Sequence, residues 1–206
     1  VVTDTLLRNW SAATVIIGNF LRQALVQAED AAFLKGNGVG KPTGILDLSN
    51  TGAIRVDRAT VTQISHSDLL IMLSKLSVES VGKAKWVAHQ TTLPAIMGLK
   101  DEAGNLLYNA GDVTRGIQPS LLGLPISFTG KTAPLGTVGD LMLVDFSYYL
   151  IKDGSGPYLG ASEHVHFTSN KTVFKIFELV DAKPWVTAPL TLEDGVTQVS
   201  PYVILK

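Results

Sequence analysis

The chain has 206 residues, a net charge of −1, 46% apolar and 17% charged residues, and a mean hydropathy of +0.25. It has no cysteine, which excludes disulfides and thiolate metal sites, and its scattered Lys and Arg signal no basic face for gripping nucleic-acid phosphates. No apolar run reaches the ~18–20 residues of a membrane span. The apolar excess fits two arrangements, a well-packed α+β domain or a domain with apolar surface turned toward partner chains. No signal peptide is legible. The chain opens at Val1 and enters a helical pattern almost at once, as expected of a fragment of a longer protein.

Thr3 to Trp10 reads as a short helix or turn, and Ser11 as the N-cap of the next element. From Ala12 to Lys35 there is no Pro, and Gly18 is the only Gly. Val15, Ile16, Phe20, Leu21, Ala24, Leu25, Ala28 and Ala32 form a stripe of helical period. The spacing predicts one helix of about 36 Å, long enough to serve as a spine across a sheet. Gly36 is expected to end it in the left-handed conformation.

Asp47 to Gln63 reads as loop with a short strand. Ser65-His66-Ser67-Asp68 carries helix-start chemistry, with Leu69, Leu70, Leu73 and Leu76 at helical spacing behind it and Gly82 closing the segment. Lys85 to His89 reads as a strand. Thr91 or Thr92 is expected to cap a short helix through Leu99, with Pro94 in its first turn. Asp101 to Asn105 reads as a turn and Leu124 to Phe128 as a strand.

Leu141 to Phe146 is a continuous apolar run after Gly139-Asp140, the pattern of a strand buried on both faces. His164–Thr168 and Thr172–Lys183 read as strands joined at Ser169-Asn170 by a two-residue hairpin loop. In the second strand Phe174, Ile176, Val180 and Ala182 share one face and Val173, Phe177 and Leu179 the other. Both faces are therefore expected to be covered. Pro184 and Pro189 break the pattern, and Tyr202 to Leu205 is a short final strand. The mixture is α+β, with strands drawn from distant parts of the chain.

Chemistry-bearing constellations are few. Gly36-Asn37-Gly38-Val39-Gly40-Lys41-Pro42-Thr43 resembles a phosphate loop only superficially. That loop needs Ser or Thr directly after Lys and opens a helix after a strand; here Pro42 follows Lys41, and the loop follows a helix. Pro42 also has no N–H to offer a phosphate. The glycines instead predict a reversal of chain direction. Glu163, His164 and His166 form the only His/Glu cluster, and two histidines on one strand face usually face solvent. His66 is assigned to a helix start and His89 to a strand end. Asp140 and Asp145 flank the buried strand, where carboxylates more often bind loop backbone than act as an acid–base pair. Trp10, Trp86 and Trp185 are scattered, as core or interface anchors would be. No catalytic, cofactor or metal residue is assigned.

The passage Ala28-Glu29-Asp30 through Gly36-Asn37-Gly38-x-Gly40-x-Pro42-x-Gly44-Ile45-Leu46 resembles the junction after the long helix in major capsid proteins of tailed bacteriophages, the Hong Kong phage-type fold. Further pieces follow in that family's order: Trp86-Val87-Ala88-His89, Leu99-Lys100-Asp101-x-x-Gly104, Leu122-Gly123-Leu124-Pro125-Ile126, Val144-Asp145-Phe146 and Phe167-Thr168-x-Asn170. His89 stands where Asn is common in the family, and Val144 where Gly is common.

The resemblance implies an α+β capsid fold: a spine helix, a peripheral β region, and an axial domain with a central mixed sheet and flanking helices. It divides the chain into residues 1–46 (spine helix and junction, with Gly36, Gly38, Gly40, Pro42 and Gly44 as structural residues), 47–150 (axial domain), 151–190 (long peripheral strands) and 191–206 (a C-terminal return strand). It implies a non-enzymatic subunit of hexamers and pentamers in an icosahedral shell around double-stranded DNA, assembled in the bacterial host cytoplasm. Partners would be further copies of itself, with scaffolding, protease and portal proteins. DNA would be touched only non-specifically, and no membrane would be involved. The family's N-terminal arm and extended loop have no counterpart before the spine helix, so no isopeptide cross-linking residue is assigned. An encapsulin-like nanocompartment shell is the alternative within the fold; a small nucleotide- or metal-using enzyme is the alternative outside it.

Overall fold

The computed structural model describes residues 1–9, 12–101, 103–111, 114 and 116–206. The expected N-cap Ser11, Trp10 and Glu102 of the expected turn lie outside them. Strand β1 (Val2–Thr3) and helix α1 (Asp4–Asn9) lead into α2 (Ala13–Lys35), one unbroken helix of 23 residues that passes through Gly18. Half of the expected stripe faces inward: Ile16, Leu21, Leu25 and Ala32 are half-buried, whereas Val15, Phe20, Ala24 and Ala28 are exposed. A bare helix lying on a hairpin can cover only one narrow face, so the rest of its apolar surface stays open.

The next elements are β2 (Ile54–Val56), α3 (His66–Ser74), β3 (Lys85–His89) and α4 (Leu93–Met97). Helix α3 starts with a full capping box: the Ser65 hydroxyl accepts from the Asp68 N–H, and the Asp68 carboxylate accepts from the Ser65 N–H at 2.9 Å. It ends at Ser74, earlier than Gly82, and a short 3-10 turn at Val78–Ser80 follows. Neither Thr91 nor Thr92 caps α4 through its side chain. The cap is instead on the preceding 3-10 turn, where His89 Nδ1 accepts from the Thr91 N–H.

Strands β4 (Tyr108–Asn109), β5 (Ser120–Leu121), β6 (Leu124–Thr129), β7 (Leu141–Val144) and β12 (Tyr202–Leu205) join β2 and β3 in a seven-stranded mixed sheet of order β2-β12-β7-β3-β6-β5-β4. Every residue of β7 and β12 is buried. Leu141, Leu143, Val203, Leu205, Trp86 and Ala88 point to the face covered by α3 and α4. Met142, Val144, Tyr202, Ile204 and Val87 point to the other, packed against Leu34 and Ile45. Period-two alternation thus turns one apolar run into two cores. Phe146 lies beyond the strand, in a 3-10 turn, and is only half-buried.

The second sheet, β1-β9-β8, is dominated by the hairpin of β8 (Tyr149–His166) and β9 (Lys171–Pro184). It departs from expectation in three ways. Strand β8 begins 15 residues before His164. Its connection is a four-residue one: the last register pair is His166 with Lys171, and Asn170 closes the turn at φ 49°. And only one face of β9 is covered. Phe174, Ile176, Val180 and Ala182 turn inward, while Phe177 and Leu179 are exposed. A small two-stranded ribbon, β10 (Leu190–Thr191) with β11 (Gln198–Val199), precedes β12.

Candidate functional site

The glycine-rich junction uses its backbone to finish α2. The last carbonyls of a helix lack intrahelical donors; here Phe33 O accepts from the Ile45 N–H at 3.1 Å and Leu34 O from the Leu46 N–H at 2.9 Å. The returning chain is held by Gly44 N–H to Gly36 O at 2.7 Å and Gly38 N–H to Pro42 O at 3.3 Å. Gly36 is extended at φ −63° and ψ 144°, so the expected left-handed end is wrong. Gly is needed there for closeness: a Cβ would run into Pro42 O and Ala32 O. Gly44 is similar, with a Cβ only 2.6 Å from Leu34 O. Gly38 and Gly40 do hold positive φ, 73° and 65°.

The junction also clamps the hairpin. Thr43 N–H donates to Ala182 O at 2.9 Å, and the Tyr149 hydroxyl donates to Thr43 O at 2.8 Å. Five of these junction N–H groups (Gly36, Gly38, Thr43, Gly44, and Val39 to Asn37 Oδ1) already have intramolecular acceptors. They are not free to cradle a phosphate.

The other sequence candidates are dispersed. Asp140 and Asp145 sit at opposite ends of β7. Asp140 pairs with Arg58 at 3.0 Å, both side chains being buried. Asp145 accepts from Ser147 N–H at 2.9 Å and caps the following turn. Glu163, His164 and His166 lie on the exposed end of β8. Among the described residues no group of three or more His, Asp or Glu is placed to hold a metal. His66 opens α3. Trp86 is fully buried and donates to Leu121 O at 3.0 Å, whereas Trp185 is 64% exposed. A hollow of about 450 Å³ lies under the end of α2, lined mainly by Phe33, Leu34, Ile45, Val87 and Tyr149. Lys131 at its edge is paired with Asp30 at 2.8 Å. The hollow's remaining polar residues are Lys85, Ser127 and Thr129, and Lys85 lies over the Phe146 ring at 5.1 Å.

Among the described residues, large apolar side chains are left uncovered. Tyr158 and Phe177 stack on the outer face of the hairpin at 5.2 Å between ring centres, with Leu179 beside them 61% exposed. Phe167 at the hairpin tip is 74% exposed, and Phe20 on α2 is 65% exposed. The apolar excess of the sequence is consistent with such uncovered surface, but alternation reports which residues share a face, not what covers it, so the sequence did not place it on the outer face of the hairpin.

The sequence matches the model of the phage capsid family over residues 1–193. The chain belongs to the phage capsid family. Its fold is that of solved capsids. It is similar to the capsid of an empty GTA particle, with a TM-score of 0.75 and 18% identity, over 100% of this chain and 70% of that one. The capsid of a native GTA particle matches equally, over 69% of that chain. A structure from Gordonia phage Cozz matches with a TM-score of 0.59 and 17% identity, over 98% of this chain and 66% of that one. No curated protein sequence matches. Family and fold are those of structural proteins and point away from enzymatic activity. No helix among the described residues is long and apolar enough to cross a membrane.

Proposed function

We propose that this phage capsid family chain is the folded body of a major capsid subunit that assembles with copies of itself into the hexamers and pentamers of an icosahedral shell. The observation that carries this beyond family membership is the uncovered apolar surface on one side of the β8–β9 hairpin and of α2. In a shell such faces are buried by symmetry-related copies, each contact modest and many times repeated. On this reading residues 1–46 and 151–190 form the peripheral part, residues 47–150 the axial domain, and residues 191–206 return to it. The position of β12 inside the large sheet, between β2 and β7, supports that return. The enclosed material would be double-stranded DNA, held without sequence preference as suits a net charge of −1. Scaffolding, protease and portal proteins would be further partners, and the virion capsid the site of action.

Electron microscopy of the purified protein expressed with its neighbouring genes tests this. Closed particles containing nuclease-protected DNA are expected. Particles filled with an enzyme would support the nanocompartment reading instead. Nucleotide turnover abolished by Lys41→Ala would support an enzyme.

A further inference from the structure

Two features of opposite shape and opposite charge lie on different parts of the chain. The first is the hollow under the end of α2. Its floor is apolar, formed mainly by Phe33, Leu34, Ile45, Val87 and Tyr149, and its volume of about 450 Å³ can take a few inserted side chains. Lys85, Lys131 and Asp30 also line it. Asp30 is taken by Lys131. Lys85 lies over the Phe146 ring and has no carboxylate partner among the described residues. The hollow therefore sets one uncompensated cation beside an apolar floor.

The second feature is the tip of the β10–β11 ribbon, Leu192-Glu193-Asp194-Gly195-Val196-Thr197. Every residue from Leu190 to Val196 is exposed, Val196 by 82%. The tip is held by its own bonds. Leu192 N–H donates to Thr197 O at 2.9 Å, and Gly195 N–H to Leu192 O at 3.0 Å. Asp194 Oδ1 accepts from the Val196 and Thr197 N–H groups at 3.0 and 2.8 Å. Glu193 has no such duty and forms no ion pair among the described residues. The tip thus presents two aliphatic side chains and a free carboxylate in a preformed shape, which lowers the entropy cost of docking.

No residue of β10 or β11 lines the hollow, so tip and hollow do not meet within one chain. A contact between them joins two copies through different surfaces, and head-to-tail contacts of that kind generate rings when the rotation closes.

We propose that the β10–β11 tip of one copy seats in the hollow of the next. Leu192 and Val196 cover the apolar floor, Glu193 meets Lys85, and Asp194 keeps the turn in shape. The contact rests on the self-assembly proposed above and names the surfaces that make it. Charge selects this tip over the other protruding one. Phe167, exposed at the β8–β9 turn, is flanked by the register pair His166 and Lys171, and Lys171 brings the same sign as Lys85.

The chain has no cysteine, so introduced thiols report the contact by cross-linking. Ser127→Cys places one at an exposed position of the hollow, with little change of shape. Val196→Cys places one on the tip. The two variants are mixed, as the concentrated 206-residue chain and in the assembling protein, and treated with a short bismaleimide. The mixed dimer should exceed that from Val196→Cys with Val78→Cys, an exposed site outside the hollow, by about threefold or more. Adding Glu193→Lys to the tip variant should cut the yield about threefold, and adding Lys85→Glu to the hollow variant should restore it. Circular dichroism establishes that each variant is folded. A yield at the Val78→Cys level in both preparations, one indifferent to Glu193→Lys, or one that Lys85→Glu fails to restore overturns the proposal. Closed particles without the mixed cross-link overturn this contact and leave the shell standing. Cross-linking without closed particles upholds the contact and counts against the shell.

Discussion

Replacing Arg58 by Leu should be among the most damaging single changes in this chain. The guanidinium is 7% exposed and its partner Asp140 is fully buried. Arg58 donates through Nη1 and Nη2 to the two Asp140 oxygens at 3.2 and 3.0 Å, and through Nε to Lys206 O at 3.0 Å. Asp140 accepts one more bond, from Gly136 N–H at 2.8 Å. One side chain therefore ties the loop after β2, the loop before β7 and the end of β12. Removing it leaves a buried carboxylate with a single neutral donor, and breaking such a pair from one side costs about 3–5 kcal/mol. That is a large share of the stability of an ordinary domain, about 5–15 kcal/mol. With a urea m-value of about 2–3 kcal/mol/M, the unfolding midpoint should fall by about 1–2.5 M. The double variant Arg58→Leu/Asp140→Leu removes both charges and should recover most of the loss. A shift under about 0.3 M for Arg58→Leu at unchanged m, or a double variant as unstable as the single one, would refute the reasoning.

Three further outcomes are expected. Gly36→Ala and Gly44→Ala should each lose at least about 2 kcal/mol in urea unfolding, because the new methyl meets backbone; Gly40→Ala, with open space around it, should lose only the ~1 kcal/mol of its positive φ. Burial pushes the Tyr202 phenol up to about 12 and raises Tyr149 as well. A raised phenol pKa stabilises the fold below about pH 10, and the stability is lost as pH rises through the folded value; absorbance titration should show Tyr202 ionising late in the wild type and the alkaline loss of stability reduced in Tyr202→Phe. Leu179→Lys, on the uncovered hairpin face, should change the stability of the isolated chain by no more than about 0.5 kcal/mol but prevent closed particles in electron microscopy of the assembling protein.

Elements with one dominant physical cause were legible in the sequence. Strand β7 must be apolar throughout because a core lies on each side of it, so a continuous apolar run could mean little else. Helix α2 was legible because nothing interrupts its period, and α3 because Ser65 and Asp68 satisfy each other's backbone. The first part of β8 was not. Gly154, Gly156, Pro157 and Gly160 look like loop residues, yet the strand continues through them. Register shifts between Asp153 and Ser155 and between Ser155 and Tyr158 mark irregularities that admit a Pro and allow the chain to bend. Gly36 was placed correctly as the helix end but for the wrong reason: a crowded backbone, invisible in one dimension, selected glycine where conformation did not. The Arg58–Asp140 pair joins residues 82 apart, and nothing local in either segment marks it.

The exposed face of β9 lies between these cases. Val173, Phe177 and Leu179 on one side and Phe174, Ile176, Val180 and Ala182 on the other predict a strand covered twice. The chain covers it once, with α2. An apolar set that alternates strictly but stays open is not a failure of patterning, since the exposed Lys175, Asp181 and Lys183 break it up on the same face. On the proposed assembly, its second cover is a neighbouring copy of the chain. The same holds for Phe20 on α2, which belongs to the helical stripe yet points away from the hairpin.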